Sequence, residues 1–382
     1  MIKVMTVFGT RPEAIKMAPV VLELKKHPEQ IQTVVAVTAQ HRQMLDQVLE
    51  LFQIHPDYDL NIMSQSQTLY DITTRALQGL KTVMELEKPD LVLVHGDTTT
   101  TFAGALAAYY QQIPVGHVEA GLRTGNIYSP FPEEMNRKLT GAISSIHFSP
   151  TPTAQGNLLR EGVNPDNIYV TGNTVIDALM KTVNDEYDFT AEGLEDVDFK
   201  NHRIILLTTH RRENLGEPMR HIYKALRQIV EEIKDTEVVF PVHRNPLVRK
   251  VVEEELAGVE RIHLIDPMEY EPFANLMHHS CLVLTDSGGI QEEAPSLGKP
   301  VLVLRDTTER PEAVDAGTVH LIGTDYDKVY KETKELLTNE GAYAAMSNAV
   351  NPYGDGQASR RIVQAILYAF AGATEKPDEF NV

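Results

Sequence analysis

The sequence has 382 residues, of which 42% are hydrophobic and 23% are charged, and its formal net charge is −19. This length predicts two or three domains with sizeable cores. The negative charge argues against nucleic acid or an anionic membrane as a general partner, although clustered Arg and Lys could still bind an anionic small molecule. The single cysteine, Cys281, allows no disulfide framework. We expect a cytoplasmic protein, because the N-terminus lacks a signal-peptide pattern and no apolar run is long enough to span a bilayer.

Short apolar runs alternate with helix-like runs along the chain, a pattern typical of α/β proteins with parallel sheets. An acidic, weakly patterned segment over residues 184–200 separates two series of predicted strands. We therefore predict two doubly wound domains, at residues 1–171 and 172–356, and a last helix within residues 357–382. The first series of strands is Lys3–Phe8, Thr33–Thr38, Leu91–Val94, Pro114–Val118, Ile146–Phe148 and Ile168–Val170. The second is Ile204–Leu207, Val238–Pro241, Ile262–Ile265, Leu282–Thr285, Val301–Leu304 and Val319–Ile322.

Carboxylates follow two neighbouring strands of the first domain. Asp97 comes after one of these strands and Glu119 after the next. Ligands of open α/β sheets bind outside the carboxyl ends of the strands, so both side chains are expected at one rim. Glu133 and Glu134 follow in a proline-punctuated loop. The residues alone leave an alternative open, in which Asp97 only caps the helix from Thr98 and Glu119 is a turn residue.

The motif GTRPEAIKMAP, residues 9–19, places two cations after the first strand. The N–H groups at a helix start favour an anion, and Arg11 and Lys16 add positive charge there. This pattern favours a phosphate or sugar site. The alternative is a surface turn with solvated cations.

The motif LTDSGGIQEEAPSLGKP begins at the end of a second-domain strand. Ser287, Gly288 and Gly289 open a helix there, and two glycines let the backbone approach a ligand closely. Either Glu292 or Glu293 could accept hydrogen bonds from ribose hydroxyls, and Arg310 follows the next strand. Together these features indicate a nucleotide site.

Two further strand ends carry polar residues. His210, in TTHRRE, could stabilise a leaving phosphate, or the segment could be a solvated cationic loop. The QHRQ run at 40–43 is either a ligand contact or an exposed helix start. No GxGxxG or Walker A pattern follows a strand, so a tightly held dinucleotide cofactor is not indicated. The Asp196–Asp198 pair is interpreted as a solvated charge run, and no metal cluster is apparent.

Several motifs together closely resemble the non-hydrolysing UDP-N-acetylglucosamine 2-epimerases, from about residue 3 to about residue 356. They are GTRPEAIKMAP, VTAQHRQMLDQ, HGDTTTT, VEAGLRTG, PFPEEMNR, TTHRRE, DSGGIQEEAPSLGKPVL and RDTTERPEA. The resemblance implies a glycosyltransferase-B fold, with the substrate in the cleft between two Rossmann-like domains and the last helix packed on the N-terminal one. It also implies a homodimer and interconversion of UDP-N-acetylglucosamine and UDP-N-acetylmannosamine for cell-surface polysaccharide.

The same resemblance implies roles for individual residues. Met268 departs from the pattern, because some members have Gln there. The residues that would contact the substrate are Arg11, Lys16, Asp97, Glu119 and His210. Those that would hold UDP are Ser287, Gly288, Gly289 and Glu293, with Arg310 near the diphosphate and Phe273 near the uracil. Gln40, His41 and Gln43 match residues of a second, activating substrate site.

The reaction itself indicates which chemical groups the site needs. Inversion at C2 without an oxidising cofactor requires elimination of UDP to a glycal and re-addition, which needs carboxylates for proton transfer and cations for the departing diphosphate. Asp97, Glu119 and Glu133 are the acid and base candidates, with Glu133 preferred over Glu134 by motif match only. Which carboxylate is acid and which is base stays open. A glycosyltransferase of the same fold and a hydrolysing epimerase are the alternatives.

Overall fold

The structure is a computed structural model that describes residues 1–40 and 42–381. The described residues form two compact units, one from residues 1–178 with 353–381 and the other from residues 179–352. Each unit is a parallel α/β sheet with helices packed on it, which confirms the predicted fold class.

The first unit has a parallel sheet with seven strands among the described residues, in the order β3-β2-β1-β4-β5-β6-β7. The strands are β1 (Ile2–Phe8), β2 (Ile31–Val37), β3 (Tyr58–Asp59), β4 (Leu91–His95), β5 (Val115–Val118), β6 (Ile146–Ser149) and β7 (Ile168–Val170). The helices that follow these strands are α1 (Arg11–Leu24), α2 (Arg42–Leu51), α3 (Leu69–Glu87), α4 (Thr99–Tyr110), α5 (Glu133–Ile143), α6 (Pro152–Arg160) and α7 (Thr174–Thr182), with a 3₁₀ turn at Pro165–Asn167.

The second unit has a parallel sheet whose six strands, counted over the part of the chain that is described, run in the order β10-β9-β8-β11-β12-β13. They are β8 (Arg203–Thr208), β9 (Thr236–Pro241), β10 (Ile262–Ile265), β11 (Leu282–Thr285), β12 (Val301–Val303) and β13 (Val319–Leu321). The helices are α8 (Glu217–Glu232), α9 (Pro246–Leu256), α10 (Tyr270–His279), α11 (Gly288–Glu293), α12 (Pro311–Asp315), α13 (Tyr326–Thr338) and α14 (Glu340–Ser347), with 3₁₀ turns at Thr190–Glu192, Arg212–Asn214 and Ala294–Leu297.

The C-terminal segment belongs to the first unit. Its helix α15 (Ala358–Phe370) packs on α1, and Ile362 and Ile366 are completely buried. The units divide at 178/179 and 352/353, whereas the sequence analysis placed the divisions at 171/172 and 356/357. Hydrogen bonds explain the difference, because the Asn173 N–H donates to the Tyr353 carbonyl at 2.7 Å. The carboxylate of Asp177 also accepts the two N–H groups at the start of α15, at 3.1 and 2.8 Å.

Both sheets reverse their strand order at one point, and that point determines where a ligand can bind. In the first unit the reversal lies between β1 and β4, and in the second it lies between β8 and β11. Ligands of open α/β sheets bind outside the carboxyl ends of the strands at such a reversal. The loops that leave these four strands and their neighbours in the sheets therefore carry the candidate sites.

Candidate functional site

Glu119 follows β5 and is held by a cation. Its Oε2 forms an ion pair with the ammonium of Lys16, which projects from α1, and lies 3.5 Å from Nε2 of His95 at the end of β4. Burial alone would raise the pKa of Glu119, but the ammonium of Lys16 opposes burial, and this pKa is lowered well below its usual range. Glu119 also has a left-handed φ of 62°, a conformation that costs energy for a residue with a side chain and is concentrated at functional sites. The side chain is therefore a fixed, ionised carboxylate.

Asp97 follows β4 and is held by a different cation. Its Oδ2 lies 2.6 Å from the guanidinium of Arg137, and its carbonyl accepts a 2.9 Å hydrogen bond from Asn136 Nδ2. The N-cap of α4 is Thr98, whose hydroxyl accepts from the Thr101 N–H. Capping of this helix is therefore done by Thr98, and the alternative that Asp97 is merely its cap is wrong.

Glu133 and Glu134, adjacent in sequence at the start of α5, have different surroundings. The completely buried Glu134 accepts the N–H groups of Thr124 and Gly125 at 3.1 and 3.0 Å and pairs with Arg137 at 3.1 Å. Glu133 is partly exposed and has no side-chain hydrogen bond or ion pair with any residue that the structure describes. Glu134 thus holds the loop in place, whereas Glu133 remains available to a ligand.

Glu13 ties the two loops at this rim together. One carboxylate oxygen accepts the N–H groups of Gly9 and Thr10 at 3.0 and 2.8 Å, so it completes a capping box at the start of α1. The other accepts the hydroxyls of Thr98 and Thr101 at 2.7 and 3.0 Å. The β1–α1 loop, which leads into the predicted Arg11 at the start of α1, is thereby fixed against the loop that carries Asp97.

His210 follows β8 in the second unit and is oriented by a buried carboxylate. Its Nδ1 lies 2.8 Å from Oδ1 of Asp286, the completely buried residue that follows β11. Asp286 also accepts the N–H groups of His210 and Arg211, each at 2.9 Å, and the amide of Asn214 at 3.1 Å. This contact leaves Nε2 as the ring nitrogen that is turned away from Asp286.

The turn formed by Ser287, Gly288 and Gly289 follows Asp286 directly. A Cβ added at Gly288 would have no heavy atom within 4 Å, and one at Gly289 would meet only the end of the Glu293 side chain, at 3.6 Å. Neither glycine has a positive φ, so the unliganded chain does not require glycine here. The space beside both glycines is therefore open to a ligand. Arg310 pairs with Glu292 on α11, which places that cation beside the turn.

The remaining predicted residues lie elsewhere on the two units. Phe273 is partly exposed on α10, and Met268 precedes that helix. Gln40 accepts a 3.1 Å hydrogen bond from the hydroxyl of Thr100, and Gln43 is exposed on α2. His41 lies outside the described residues. Within residues 1–40 and 42–381, no group of three or more His, Cys, Asp or Glu side chains is arranged to hold a metal ion. The described helices also lack the length and apolar character needed to cross a membrane.

The family model for UDP-N-acetylglucosamine 2-epimerase matches residues 22–367. The chain belongs to the UDP-N-acetylglucosamine 2-epimerase family. It is 61% identical over 380 residues to the UDP-N-acetylglucosamine 2-epimerase of Bacillus subtilis strain 168, which covers 100% of this chain and 99% of that protein. A crystal structure of a UDP-N-acetylglucosamine 2-epimerase matches with a TM-score of 0.94 and 58% identity, over 100% of this chain and 99% of the other. The Neisseria meningitidis enzyme, solved bound to UDP-GlcNAc, matches with a TM-score of 0.88 and 53% identity, over 96% and 100%.

These similarities confirm the resemblance found in the sequence. This member of the epimerase family is an isomerase with two Rossmann-like domains in a glycosyltransferase-B-like fold. The roles of its individual residues stay predictions.

Three residues of this family member hold predicted site residues or the loops beside them, although the sequence predicted no role for them. They are Glu13, Arg137 and Asp286. A signal existed for Glu13, because Thr10-x-x-Glu13 has capping-box spacing, and for Asp286, which ends its strand much as Asp97 does. No sequence signal pointed to Arg137, since its partner Asp97 lies 40 positions earlier and only the folded sheet brings the two together.

Proposed function

We propose that the chain interconverts UDP-N-acetylglucosamine and UDP-N-acetylmannosamine by inverting C2, without hydrolysing either. The substrate is inferred from family membership and from the Neisseria meningitidis relative that was solved bound to UDP-GlcNAc. The observation that carries the proposal is the pair of carboxylates Glu119 and Glu133 in the first unit. One is fixed and ionised by Lys16, and the other is unpaired among the described residues.

We propose that the reaction proceeds by elimination and re-addition. A carboxylate removes the C2 proton, the C1–O bond breaks, and its electron pair leaves with UDP, so that a 2-acetamidoglucal remains. UDP oxygen then adds to C1 while a proton is delivered to C2 from the opposite face. General acid and base groups of this kind contribute typically about 10²–10⁴-fold to the rate. Asp97, Glu119 and Glu133 are the candidates to move the proton in the first unit.

The second unit is proposed to bind UDP and to stabilise it as it departs. The open space beside Gly288 and Gly289 suits a diphosphate approaching the backbone, with Ser287 and Arg310 beside it. His210, held by Asp286 through Nδ1, would present Nε2 to the developing negative charge. Glu293 is proposed to bind the ribose hydroxyls and Phe273 to lie near the uracil, both by resemblance to the family.

We further propose a cytoplasmic homodimer that supplies a precursor for cell-surface polysaccharide. Light scattering coupled to gel filtration tests the dimer. Activation by a second substrate molecule at Gln40, His41 and Gln43 would appear as sigmoidal dependence of rate on UDP-N-acetylglucosamine.

The deciding experiment is incubation with UDP-N-acetylglucosamine alone in D₂O, followed by ¹H and ³¹P NMR. The proposal predicts UDP-N-acetylmannosamine with deuterium at C2, and slow labelling of the remaining substrate. Free N-acetylmannosamine with stoichiometric UDP would indicate a hydrolysing enzyme. No epimerised product without an added acceptor would favour a glycosyltransferase. Product that fully retains protium at C2 would exclude the elimination mechanism.

A further inference from the structure

His95 is a buried imidazole that the reaction described above does not use. It ends β4, and its side chain is 4% exposed. Its Nε2 is buried and has no hydrogen-bond partner among the residues described. A buried ring nitrogen without a partner is costly, because it has lost its hydrogen bonds to water. Such a group therefore requires an explanation.

Nε2 of His95 lies 3.5 Å from Oε2 of Glu119. Hydrogen bonds between nitrogen and oxygen are about 2.7–3.2 Å long, so a small rotation of either side chain would close this gap. The same oxygen forms an ion pair with the ammonium of Lys16. One oxygen of a candidate catalytic carboxylate is thus approached by a permanent cation and by an imidazole that can hold a proton.

The charge of Lys16 creates a difficulty for Glu119 that His95 can resolve. A cation in contact with a carboxylate favours its ionised form, so Glu119 would release readily any proton that it takes from C2. The proposed reaction requires that this proton be held while the glycal and UDP are both bound. An imidazole is suited to accept a proton near neutral pH.

We propose that His95 is a positioning residue that accepts the substrate proton from Glu119 and holds it during the lifetime of the glycal. The inference rests on the proposed function. The O–H bond of protonated Glu119 breaks, a bond forms to the Nε2 lone pair of neutral His95, and an imidazolium–carboxylate pair results. The reverse transfer restores both groups. The net charge of the cluster with Lys16 is the same before and after the transfer.

Two other buried imidazoles of the first unit do not compete for this proton. Burial lowers the pKa of His117, on β5, to about 3, and its Nε2 contacts the carbonyl of Gly96 at 2.7 Å. Burial and then Arg123 lower the pKa of His147, on β6, to about 4. Both rings are neutral at physiological pH, and Lys16 has no lone pair to offer while it is charged.

The test compares His95→Gln with His147→Asn, a matched control that removes an equally buried imidazole two strands away. We expect His95→Gln to lower kcat by tenfold or more with KM changed less than threefold, and to remove one limb of the pH profile of kcat. His147→Asn should keep that limb and retain kcat within about twofold. In ligand-free protein labelled with ¹⁵N-histidine, Glu119→Gln should shift the Nε2 resonance that His95→Gln deletes, and it should leave the resonances of His147 in place.

The outcomes separate this inference from the function on which it rests. If the wild type makes no UDP-N-acetylmannosamine, the proposed function fails and the role of His95 fails with it. If the wild type is active and His95→Gln keeps the wild-type pH profile, only the inference fails. An equal loss of kcat at every pH would show a purely structural role and would also overturn it, as would a His95 resonance that does not respond to Glu119→Gln.

Discussion

Asp286→Asn in the second unit tests whether His210 acts through the buried carboxylate beside it. The substitution keeps the size of the side chain but removes the charge that accepts three N–H groups, from His210, Arg211 and Asn214. Hydrogen bonds to charged groups are stronger than neutral ones by about 1 kcal/mol each, so the loss should be about 3 kcal/mol. For a domain of 150–250 residues this corresponds to a fall in Tm of roughly 6–12 °C.

The chemical effect should be separable from this loss of stability. An amide in place of Asp286 can donate to Nδ1 of His210, which would move the ring proton to Nε2 and disfavour the imidazolium. We therefore expect kcat at 25 °C, where the variant remains folded, to fall by about 10²-fold or more. The control is Asp266→Asn, whose carboxylate pairs with Arg249 but is 81% exposed, and which should change Tm by less than about 2 °C.

The pH dependence of stability gives a second readout for Asp286. Burial raises its pKa, but the contacts with His210 and Arg211 outweigh burial, and the pKa is lowered overall. A lowered pKa in the folded state contributes stability that is present above the unfolded value of about 3.9 and is lost as the pH falls through the folded value. Asp286→Asn should lose less stability than wild type on acidification below about pH 4. An Asp286→Asn enzyme with wild-type kcat and wild-type acid stability would refute the assignment.

Three further outcomes follow from the same contacts. Glu133→Gln should slow epimerisation by about 10²-fold or more with an unchanged Tm, whereas Glu134→Gln should lower Tm, because it weakens two backbone hydrogen bonds and a buried ion pair; melting curves and single-turnover rates distinguish the two. Lys16→Met should raise the pKa of Glu119, since the cation that opposes the effect of burial is then absent, and the acid limb of the kcat profile should move up by more than about one pH unit. Gly288→Ala should leave Tm unchanged without ligand and weaken UDP binding by about tenfold or more in calorimetry; equal affinities would show that the diphosphate does not approach this turn.

Much of the fold could be predicted because strands that are buried on both faces appear in the sequence as continuous apolar runs. Twelve of the strands were found in this way, but β3 was missed, since its two residues, Tyr58 and Asp59, are too few to form a pattern. The rim could be predicted from the position of Asp97 and Glu119 at strand ends. The partners of these carboxylates could not, because Lys16 and Arg137 are distant in sequence and are brought near only by the order of the strands.

The adjacent residues Glu133 and Glu134 show the same limit of prediction from sequence. Nothing in the letters PFPEEMNR distinguishes Glu133 from Glu134 except their match to a family motif. In the folded chain one is completely buried in a network with Thr124, Gly125 and Arg137, and the other is not. That difference depends on the path of the preceding loop, which no local periodicity encodes.

The return of the chain to the first unit has a consequence for how the protein is made. Residues 179–352 are contiguous, so the second unit can complete its contacts without residues 353–381. The first unit begins earlier but must wait for residues 353–381, because α15 covers α1 and Asp177 binds the start of α15. The half of the molecule that is synthesised first is therefore the half that is finished last. A chain truncated after residue 352 should be protease-resistant in its second unit and still vulnerable in its first.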